Sequence, residues 1–334
     1  MNGVAMAPLQ RFRFKGAAAT RQLAIRIYHW PSGLYFARLT VPGGTSFAPF
    51  VLRPVALGLP RLAVVLPTNT WAAYNFRDSD GDGIGDTWYA SEAVTTVDLN
   101  RPFLNRGVPT GFRGYSLGLL RWLVKTRRDV DYLSDDDLER IGGAQLLRFY
   151  DLIVFAGHEE YVTTHVYDAM ERYRDGGGNL MFLSANNFFR RVVRVGDRLT
   201  RTERWRDIGR PESALMGVQY VDWFENHWPN APLVVTGARA APWLFAGTGL
   251  QNGERFGNYG IEIDARTPES PPGVQVLATA RDIFGPGKSA EMAYYELPNG
   301  ARVFAAGVIN FGGTAEFPVV SRIISNLWAR LSRP

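Results

Sequence analysis

Residues 150–156, YDLIVFA, and residues 179–184, NLMFLS, are two almost entirely apolar runs on either side of an amphipathic stretch at 163–175. A short, continuous apolar run is typical of a strand buried on both faces of a parallel sheet. The stretch between the two runs ends at three consecutive glycines, residues 176–178, which stop a helix. Strand, helix and strand in this order predict a βαβ unit with a right-handed crossover.

A third buried strand is predicted outside this unit, at residues 62–67, LAVVLP. Alternation, turn residues and helical spacing predict the remaining elements: strands at 22–28, 33–41, 47–52 and 129–133, helices at 117–125 and 318–331, a short helix opening at 134–137, and hairpins at 190–206 and 292–308. We therefore expect an α/β fold in which a mostly parallel sheet is flanked by helices and carries additional β hairpins. One domain over residues 1–334 is expected, with a β-rich lead-in at 1–55 and an α/β core with insertions at 56–334.

The composition excludes several classes of function. The chain has 334 residues and no cysteine, which rules out disulfides, zinc–thiolate sites, iron–sulfur clusters and cysteine nucleophiles. The net charge of +5 is not gathered into a basic block, so no nucleic-acid partner is expected. No apolar run is long enough to span a bilayer, and residues 1–15 lack the apolar core of a signal peptide. We expect a cytoplasmic protein without membrane contact.

Polar clusters follow all three buried strands, at residues 68–75, 157–161 and 184–189. In open α/β sheets ligands bind at the carboxyl ends of the strands, so three such clusters favour a site over three unrelated surface loops. His158 and Glu160 lie in the second cluster, where an imidazole and carboxylates can bind a hard metal ion or carry out acid–base chemistry. A helix N-terminus with a structural histidine is the alternative interpretation of this cluster.

An acidic loop at residues 78–86, DSDGDGIGD, carries a second metal signal. Oxygen donors at alternate positions with glycine between them are typical of a calcium loop. Position twelve is Tyr89, so the bidentate glutamate of an EF-hand is missing, and a solvated acidic turn is the alternative. The expected Ca²⁺ ligands are Asp78, Asp80, Asp82, the Ile84 carbonyl and Asp86.

The order and spacing of several short motifs give the chain a family resemblance. These motifs are WPSGLY at 30–35, NTWAAYN at 69–75, Gly-His-x-Glu-Tyr at 157–161, Asn186, and AEM at 290–292. Together they resemble the pattern of the C-terminal domain family of the dimethylformamidase large subunit, from about residue 30 to the end of the chain.

The resemblance implies a class I glutamine amidotransferase-like fold and a metal-dependent amidase. It implies a mononuclear iron, Fe(III), held by two tyrosines and one glutamate, which by motif are Tyr35, Tyr74 and Glu160. Phenolate and carboxylate oxygens are hard donors that suit ferric iron. Two further residues, His158 and Asn186, would lie near the metal-bound water or substrate. An additional family glutamate corresponds to Glu291 or Glu296.

Two hypotheses follow. The first is an iron-dependent amidase that cleaves the C–N bond of a small-molecule amide, with a small subunit or further copies of itself as partner. The second is a non-catalytic, calcium-stabilised binding or assembly module with an amidotransferase-like fold. Bound iron would favour the enzyme, whereas calcium alone would favour the module.

Overall fold

The structure is a computed structural model that describes residues 4–12, 24–89, 92–223 and 230–332. Within these ranges the strands are, in chain order, β1 (Gly33–Val41), β2 (Gly44–Leu52), β3 (Leu62–Leu66), β4 (Thr96–Asp98), β5 (Asp131–Ser134), β6 (Leu152–Phe155), β7 (Tyr161–Thr163), β8 (Asn179–Phe182), β9 (Arg190–Val195), β10 (Arg198–Arg204), β11 (Gln219–Trp223), β12 (Ala231–Val235), β13 (Arg255–Tyr259), β14 (Glu262–Ala265), β15 (Gln275–Ala280), β16 (Ala290–Glu296) and β17 (Arg302–Ala305).

The helices over the same ranges are mostly short. They are α1 (Thr68–Ala73), α2 (Leu104–Gly107), α3 (Phe112–Tyr115), α4 (Leu117–Lys125), α5 (Asp135–Leu138), α6 (Gly143–Phe149), α7 (Thr164–Asp175), α8 (Glu212–Met216), α9 (Pro242–Phe245) and α10 (Pro318–Leu331), with 3-10 turns at Trp205–Ile208 and Gly312–Thr314. None of the helices within the described ranges has both the length and the apolar character needed to cross a membrane.

The main sheet is mixed, and the expectation of a mostly parallel, class I glutamine amidotransferase-like sheet is wrong. Its nine strands lie in the order β13-β12-β15-β16-β17-β8-β6-β3-β5. Pairing is parallel from β17 through β8, β6 and β3 to β5, and antiparallel from β13 through β12, β15 and β16 to β17. The smaller sheets, β1–β2, β4-β10-β9-β7 and β11–β14, are antiparallel except for the β7–β9 pair.

Connection length explains why the two halves of the main sheet differ. A parallel pair needs a crossover of a dozen or more residues, whereas an antiparallel pair can be joined by a tight turn. The twelve-residue helix α7 supplies such a crossover between β6 and β8. Between β16 and β17 the predicted hairpin is confirmed: the chain turns at Asn299-Gly300, where Gly300 has φ +93°, and the strands pair antiparallel.

The parallel half is buried on both faces, as its apolar strands predict. Because successive side chains alternate across a strand, Val64 and Val154 face one core with α4 and α10. Val65 and Phe155 face the opposite core with α7. There the rings of Phe155 and Phe182 stack with centroids 4.8 Å apart.

Several local predictions are confirmed with the same bounds. Residues 33–41 form β1, residues 117–125 form α4, and residues 318–331 form α10. The strand predicted at 22–28 is wrong for residues 24–28, which are irregular, and residues 22–23 lie outside the described ranges. The division into a lead-in at 1–55 and a core at 56–334 stays a prediction.

The parallel half places three loops at one edge of the sheet. Strands β3, β6 and β8 are neighbours and run in the same direction, so the segments that follow Leu66, Phe155 and Phe182 emerge side by side. These segments contain the three polar clusters that the sequence singled out. The fold therefore brings them together at the carboxyl edge, where an open sheet binds ligands.

Candidate functional site

The loops after β6 and β8 are joined by hydrogen bonds. The Glu159 backbone N–H donates to Asn187 Oδ1 at 2.9 Å, and the Phe188 N–H donates to the Glu159 carbonyl at 2.7 Å. The Arg190 N–H donates to the Glu160 carbonyl at 3.1 Å. On the other side, the Glu160 N–H donates to Thr70 Oγ1 of α1 at 3.0 Å. Each loop is therefore fixed by its neighbours, and the side chains between them have defined directions.

Five polar side chains meet between these loops, and we call them the carboxylate cluster: Tyr74, His158, Glu160, Asn186 and Glu262. The Tyr74 hydroxyl donates to Glu160 Oε2. His158 Nε2 lies 3.3 Å from Glu160 Oε2 and 3.3 Å from Glu262 Oε2. The Asn186 side chain lies beside both carboxylates and favours their charged forms. All but Tyr74, which is half-buried, are shielded from water.

Burial of the carboxylate cluster disfavours the charged forms of its histidine and of its two glutamates. Burial lowers the pKa of His158 to about 3, although a hydrogen bond to the Asn186 backbone opposes this effect, so the imidazole is neutral. Burial also raises the pKa of Glu160 and of Glu262 above their ordinary range, and the charge of Glu160 raises the pKa of Glu262 further.

The donor set of the carboxylate cluster suits a cation. Although His158 Nε2 is close to two carboxylates, it makes no aligned hydrogen bond among the described residues, and neither does Glu262 Oε2 or Asn186 Oδ1. Buried lone pairs without partners are costly, and a bound cation or proton would satisfy them. Phenol, carboxylate and amide oxygens are the ligands that hard metal ions prefer. The residues present therefore fit a hard metal ion.

Aromatic rings surround this donor set. The rings of Tyr89 and Tyr161 pack edge-on against Tyr74 at centroid distances of 5.5 and 5.7 Å. The Tyr115 ring lies 6.2 Å from the His158 ring. The Tyr161 side chain also lowers the pKa of Glu160, against the effect of burial. The carboxylate cluster is therefore polar at its centre and aromatic at its margin, as is common in small-molecule sites.

Other residues suggested by the sequence lie in different surroundings. Tyr35 lies on the β1–β2 ribbon, where its hydroxyl donates to the Pro31 carbonyl at 2.7 Å and its ring stacks on Phe50. Glu291 accepts hydrogen bonds from the Arg266 guanidinium at 2.9 and 3.2 Å. Glu296 pairs with Arg330 at 2.7 Å and accepts from the Tyr294 hydroxyl. Of the predicted residues, the fold thus joins Tyr74, His158, Glu160 and Asn186.

Glu262 is the site residue that sequence reasoning missed. It begins β14, which pairs with β11 rather than with the parallel strands, so the strand-end rule did not point to it. A signal was nevertheless present in residues 260–264, GIEID, because alternation puts Glu262 and Asp264 on one face of a strand otherwise made of apolar residues. Two acidic residues on the buried face of a strand indicate a functional role.

The acidic loop that the sequence marked as a calcium site lies beyond α1. Single carboxylate oxygens of Asp78, Asp80 and Asp86 lie within 4.8 Å of one another. The backbone N–H groups of Gly81 and Gly83 hold the pKa of Asp78 below its usual value. Ile84, whose carbonyl was predicted as a ligand, is exposed, and Asp82 accepts from the Ile84 N–H at 2.7 Å.

A buried arginine attaches this loop to the helix that precedes Tyr74. The Arg101 guanidinium donates to the Arg77 and Asp86 carbonyls at 2.9 and 2.8 Å, and to the Ala72 carbonyl at 3.0 Å. The acidic loop is therefore joined, through one side chain, to the helix that leads to Tyr74.

Comparison with known proteins places the chain among relatives. The sequence model of the family described as N,N-dimethylformamidase beta subunit-like, C-terminal, matches residues 20–321. The N,N-dimethylformamidase beta subunit of Paracoccus aminophilus is 37% identical over 133 residues, which is 37% of this chain and 17% of that protein. The beta subunit from Alcaligenes sp is 37% identical over 73 residues, which is 22% of this chain and 9% of that protein.

The matches to these two curated relatives thus span less than a fifth of their length. Among solved structures, "Cytoplasmic Protein STM1381 from Salmonella typhimurium LT2" is similar with a TM-score of 0.41 at 11% identity, covering 90% of this chain and 97% of that chain.

Proposed function

Because the chain belongs to the N,N-dimethylformamidase beta subunit-like, C-terminal family, we propose that it is the catalytic portion of a metal-dependent amidohydrolase acting on a small amide. The observation that carries this proposal is the carboxylate cluster, where a phenol, an imidazole, an amide and two carboxylates converge. Three of its atoms, His158 Nε2, Glu262 Oε2 and Asn186 Oδ1, have no hydrogen-bond partner among the described residues. The related proteins are named as subunits, which supports a second subunit, or further copies of this chain, as part of the proposal.

Tyr74 and Glu160 are the residues that would hold iron in this proposal. When bound, ferric iron would supply a Lewis acid that polarises an amide carbonyl and acidifies water. Tyr35 is proposed as a third ligand on the resemblance alone. To bind the metal, the Tyr35 hydroxyl must give up its hydrogen bond to the Pro31 carbonyl.

The remaining members of the carboxylate cluster would handle protons and orientation. Glu262 has a pKa raised by burial, so it can take a proton from the attacking water and return it to the leaving amine nitrogen. His158 stays neutral, and its Nε2 lone pair can accept a hydrogen bond that orients water. Asn186 lies beside both carboxylates, favours their charged forms, and would orient them toward the substrate. The C–N bond breaks as the amine departs with the proton.

Metal analysis of the purified chain, combined with hydrolysis of a panel of small N-substituted amides, tests the proposal. The chain reconstituted with ferric iron is expected to retain the metal and to show the visible absorption of iron–phenolate bonds. Tyr74→Phe should weaken that absorption together with turnover, and Glu160→Gln should abolish metal retention. Tyr35→Phe is run in parallel, and Glu171→Gln at a partly exposed ion pair with Arg210 is the matched control.

Two results would contradict the amidohydrolase. One is a reconstituted chain that retains no iron and hydrolyses none of the amides, alone or with a co-purifying subunit. The other is a Glu160→Gln variant that keeps the metal and the turnover of the parent.

A calcium-stabilised module is the second candidate, and the acidic loop favours it. We propose that Asp78, Asp80, Asp82, Asp86 and the Ile84 carbonyl bind Ca²⁺, because three of these carboxylates already converge. A chain that binds calcium but no iron would be assigned to this module instead of the enzyme. Light scattering of the same sample would report whether it is a homo-oligomer.

A further inference from the structure

We propose that Asp264 is a positioning residue that holds the Asn186 backbone in a left-handed conformation and so aims the Asn186 amide at Glu160 and Glu262. The inference rests on the proposed function, because it assigns Asp264 the role of positioning a residue of the same site. Asp264 itself makes no hydrogen bond to the carboxylate cluster through its side chain other than the one to the Asn186 backbone N–H.

The backbone of Asn186 needs support at this position. Its φ is +53°, in the left-handed region that non-glycine residues enter only when a local hydrogen bond or the surrounding structure stabilises it. The Asn186 N–H donates to Asp264 Oδ1 at 2.8 Å. Phe188, two residues on, also has a positive φ, of +56°, so the whole turn is irregular. The hydrogen bond to Asp264 therefore fixes the start of a turn that regular structure does not hold.

Asp264 is placed for this role by strand alternation. Glu262 and Asp264 are two residues apart on β14 and share one of its faces. The first carboxylate enters the carboxylate cluster directly, and the second reaches the loop that delivers Asn186. Strand β14 is also bonded to a neighbouring segment, because the Asp264 N–H donates to the Gly307 carbonyl at 3.0 Å.

Folding alone does not account for a carboxyl group here. Asp264 is completely buried, and its Oδ2 has no hydrogen-bond partner within the described ranges. Burying a carboxyl group is costly unless its oxygens are satisfied, and one backbone N–H satisfies a single oxygen. We infer that the cost of burying Asp264 is offset by its role in the site, through its hydrogen bond to Asn186.

Asn186 connects with three members of the carboxylate cluster at once. Its side chain lies beside Glu160 and Glu262 and favours the charged form of each, lowering their pKa against the effect of burial, and its backbone favours the charged form of the His158 imidazole. A rotation of the Asn186 backbone out of the left-handed region would therefore change its position relative to all three groups at once. Loss of Asp264 should act on the site in the same way as loss of the Asn186 side chain.

A double-mutant cycle between Asp264→Ala and Asn186→Ala tests the inference. The readouts are turnover of the amide that the parent hydrolyses, and the visible spectrum and affinity of added Co²⁺. Asp264→Ala is expected to lower kcat roughly tenfold to a hundredfold, because it leaves a buried N–H without an acceptor. In the Asn186→Ala background it should cause no further loss of kcat and no further change of the Co²⁺ spectrum.

Asp264→Asn is the conservative variant and guards against a folding failure. It keeps an oxygen acceptor of the same length, so turnover and the Co²⁺ spectrum should stay within about threefold of the parent. A folded Asp264→Asn with a large loss overturns the inference even if Asp264→Ala does not fold.

The remaining outcomes separate the inference from the proposed function. Equal losses from Asp264→Ala in both backgrounds overturn the inference alone, because they show that Asp264 does not act through Asn186. A parent chain that neither binds Co²⁺ nor hydrolyses any amide overturns the proposed function, and this inference with it.

Discussion

Replacing Glu262 by glutamine should stabilise the metal-free chain and abolish the proposed hydrolysis, in which Glu262 takes the proton from water. Glu160 Oε2 and Glu262 Oε2 each lie 3.3 Å from His158 Nε2, so they can be no more than 6.6 Å apart, twice that distance. At an effective dielectric constant of about 20, two unit charges at that separation repel by about 2.5 kcal/mol. The raised pKa of Glu262 means that the folded parent takes up a proton rather than hold both charges, so this repulsion sets the scale of the cost. In Glu262→Gln neither the repulsion nor the proton uptake arises, and the neutral amide can donate to the His158 Nε2 lone pair.

The expected shift in melting temperature follows from the size of the chain. At about 2.1 cal/mol/K of unfolding entropy per residue, 334 residues give about 0.7 kcal/mol/K, so 2.5 kcal/mol corresponds to a rise of about 3–4 °C. Differential scanning calorimetry with chelator at pH 7.5 measures this. Added iron should raise the melting temperature of the parent and of Glu262→Gln alike, because Tyr74 and Glu160, the proposed ligands, are present in both.

The difference in stability between Glu262→Gln and the metal-free parent should change with pH in a definite direction. Burial raises the native pKa of Glu262, so between the unfolded value of about 4.3 and the raised native value the folded chain binds more protons than the unfolded chain. The stability of the metal-free parent should therefore fall as the pH rises through that window. The advantage of Glu262→Gln should be small at pH 4 and grow towards pH 8.

Glu212 provides the matched control, because it is also a buried glutamate but is paired with Arg206 at 2.7 Å. Glu212→Gln leaves the arginine without its partner and should lower the melting temperature. The reasoning fails if Glu262→Gln destabilises the metal-free chain at pH 7.5 as Glu212→Gln does.

Three further predictions concern other parts of the molecule. Calcium chelation should lower the melting temperature, and Asp78→Asn should remove that sensitivity; an Asp78→Asn chain that still responds to chelator would argue against the predicted loop ligands. Phe155→Ala should cost about 3–5 kcal/mol of unfolding free energy in urea titrations, because it deletes a fully buried ring stacked on Phe182, and a loss below about 1 kcal/mol would contradict that packing. Ser134→Ala should cost about 1 kcal/mol, since Ser134 and Asp137 form a capping box at the start of α5, and an unchanged urea midpoint would show that the cap is not stabilising.

The parallel half of the fold was predictable because each of its strands carries its own signal. Residues 62–66, 152–155 and 179–182 are apolar on both faces, and the helix between the last two has amphipathic spacing and a glycine stop. Apart from the β16–β17 hairpin, the antiparallel half was not, because β12 and β13 mix buried with half-buried or exposed positions and β15 begins exposed, so none of them forms a continuous buried apolar run. Their pairing depends on contacts distant in sequence, which no local pattern encodes.

The same distinction separates the site residues. His158, Glu160 and Asn186 were predicted together because they follow neighbouring parallel strands, and the strand-end rule applies to them. Glu262 follows no such strand and comes from the antiparallel pair β11–β14. The strand-end rule did not place Tyr35, whose assignment came from the family resemblance; in the structure its hydroxyl is engaged by Pro31.

The carboxylate cluster combines residues from two halves of the chain that are far apart in sequence. Tyr74, His158 and Asn186 belong to loops of the parallel half, whereas Glu262 arrives from the other half, after the β9–β10 hairpin and α8 have been laid down. Contacts between such distant segments form late, since loop closure opposes them. A nascent or partly folded chain would therefore lack Glu262 beside Glu160 and His158, so under the proposed function hydrolysis would begin only once both halves have folded together.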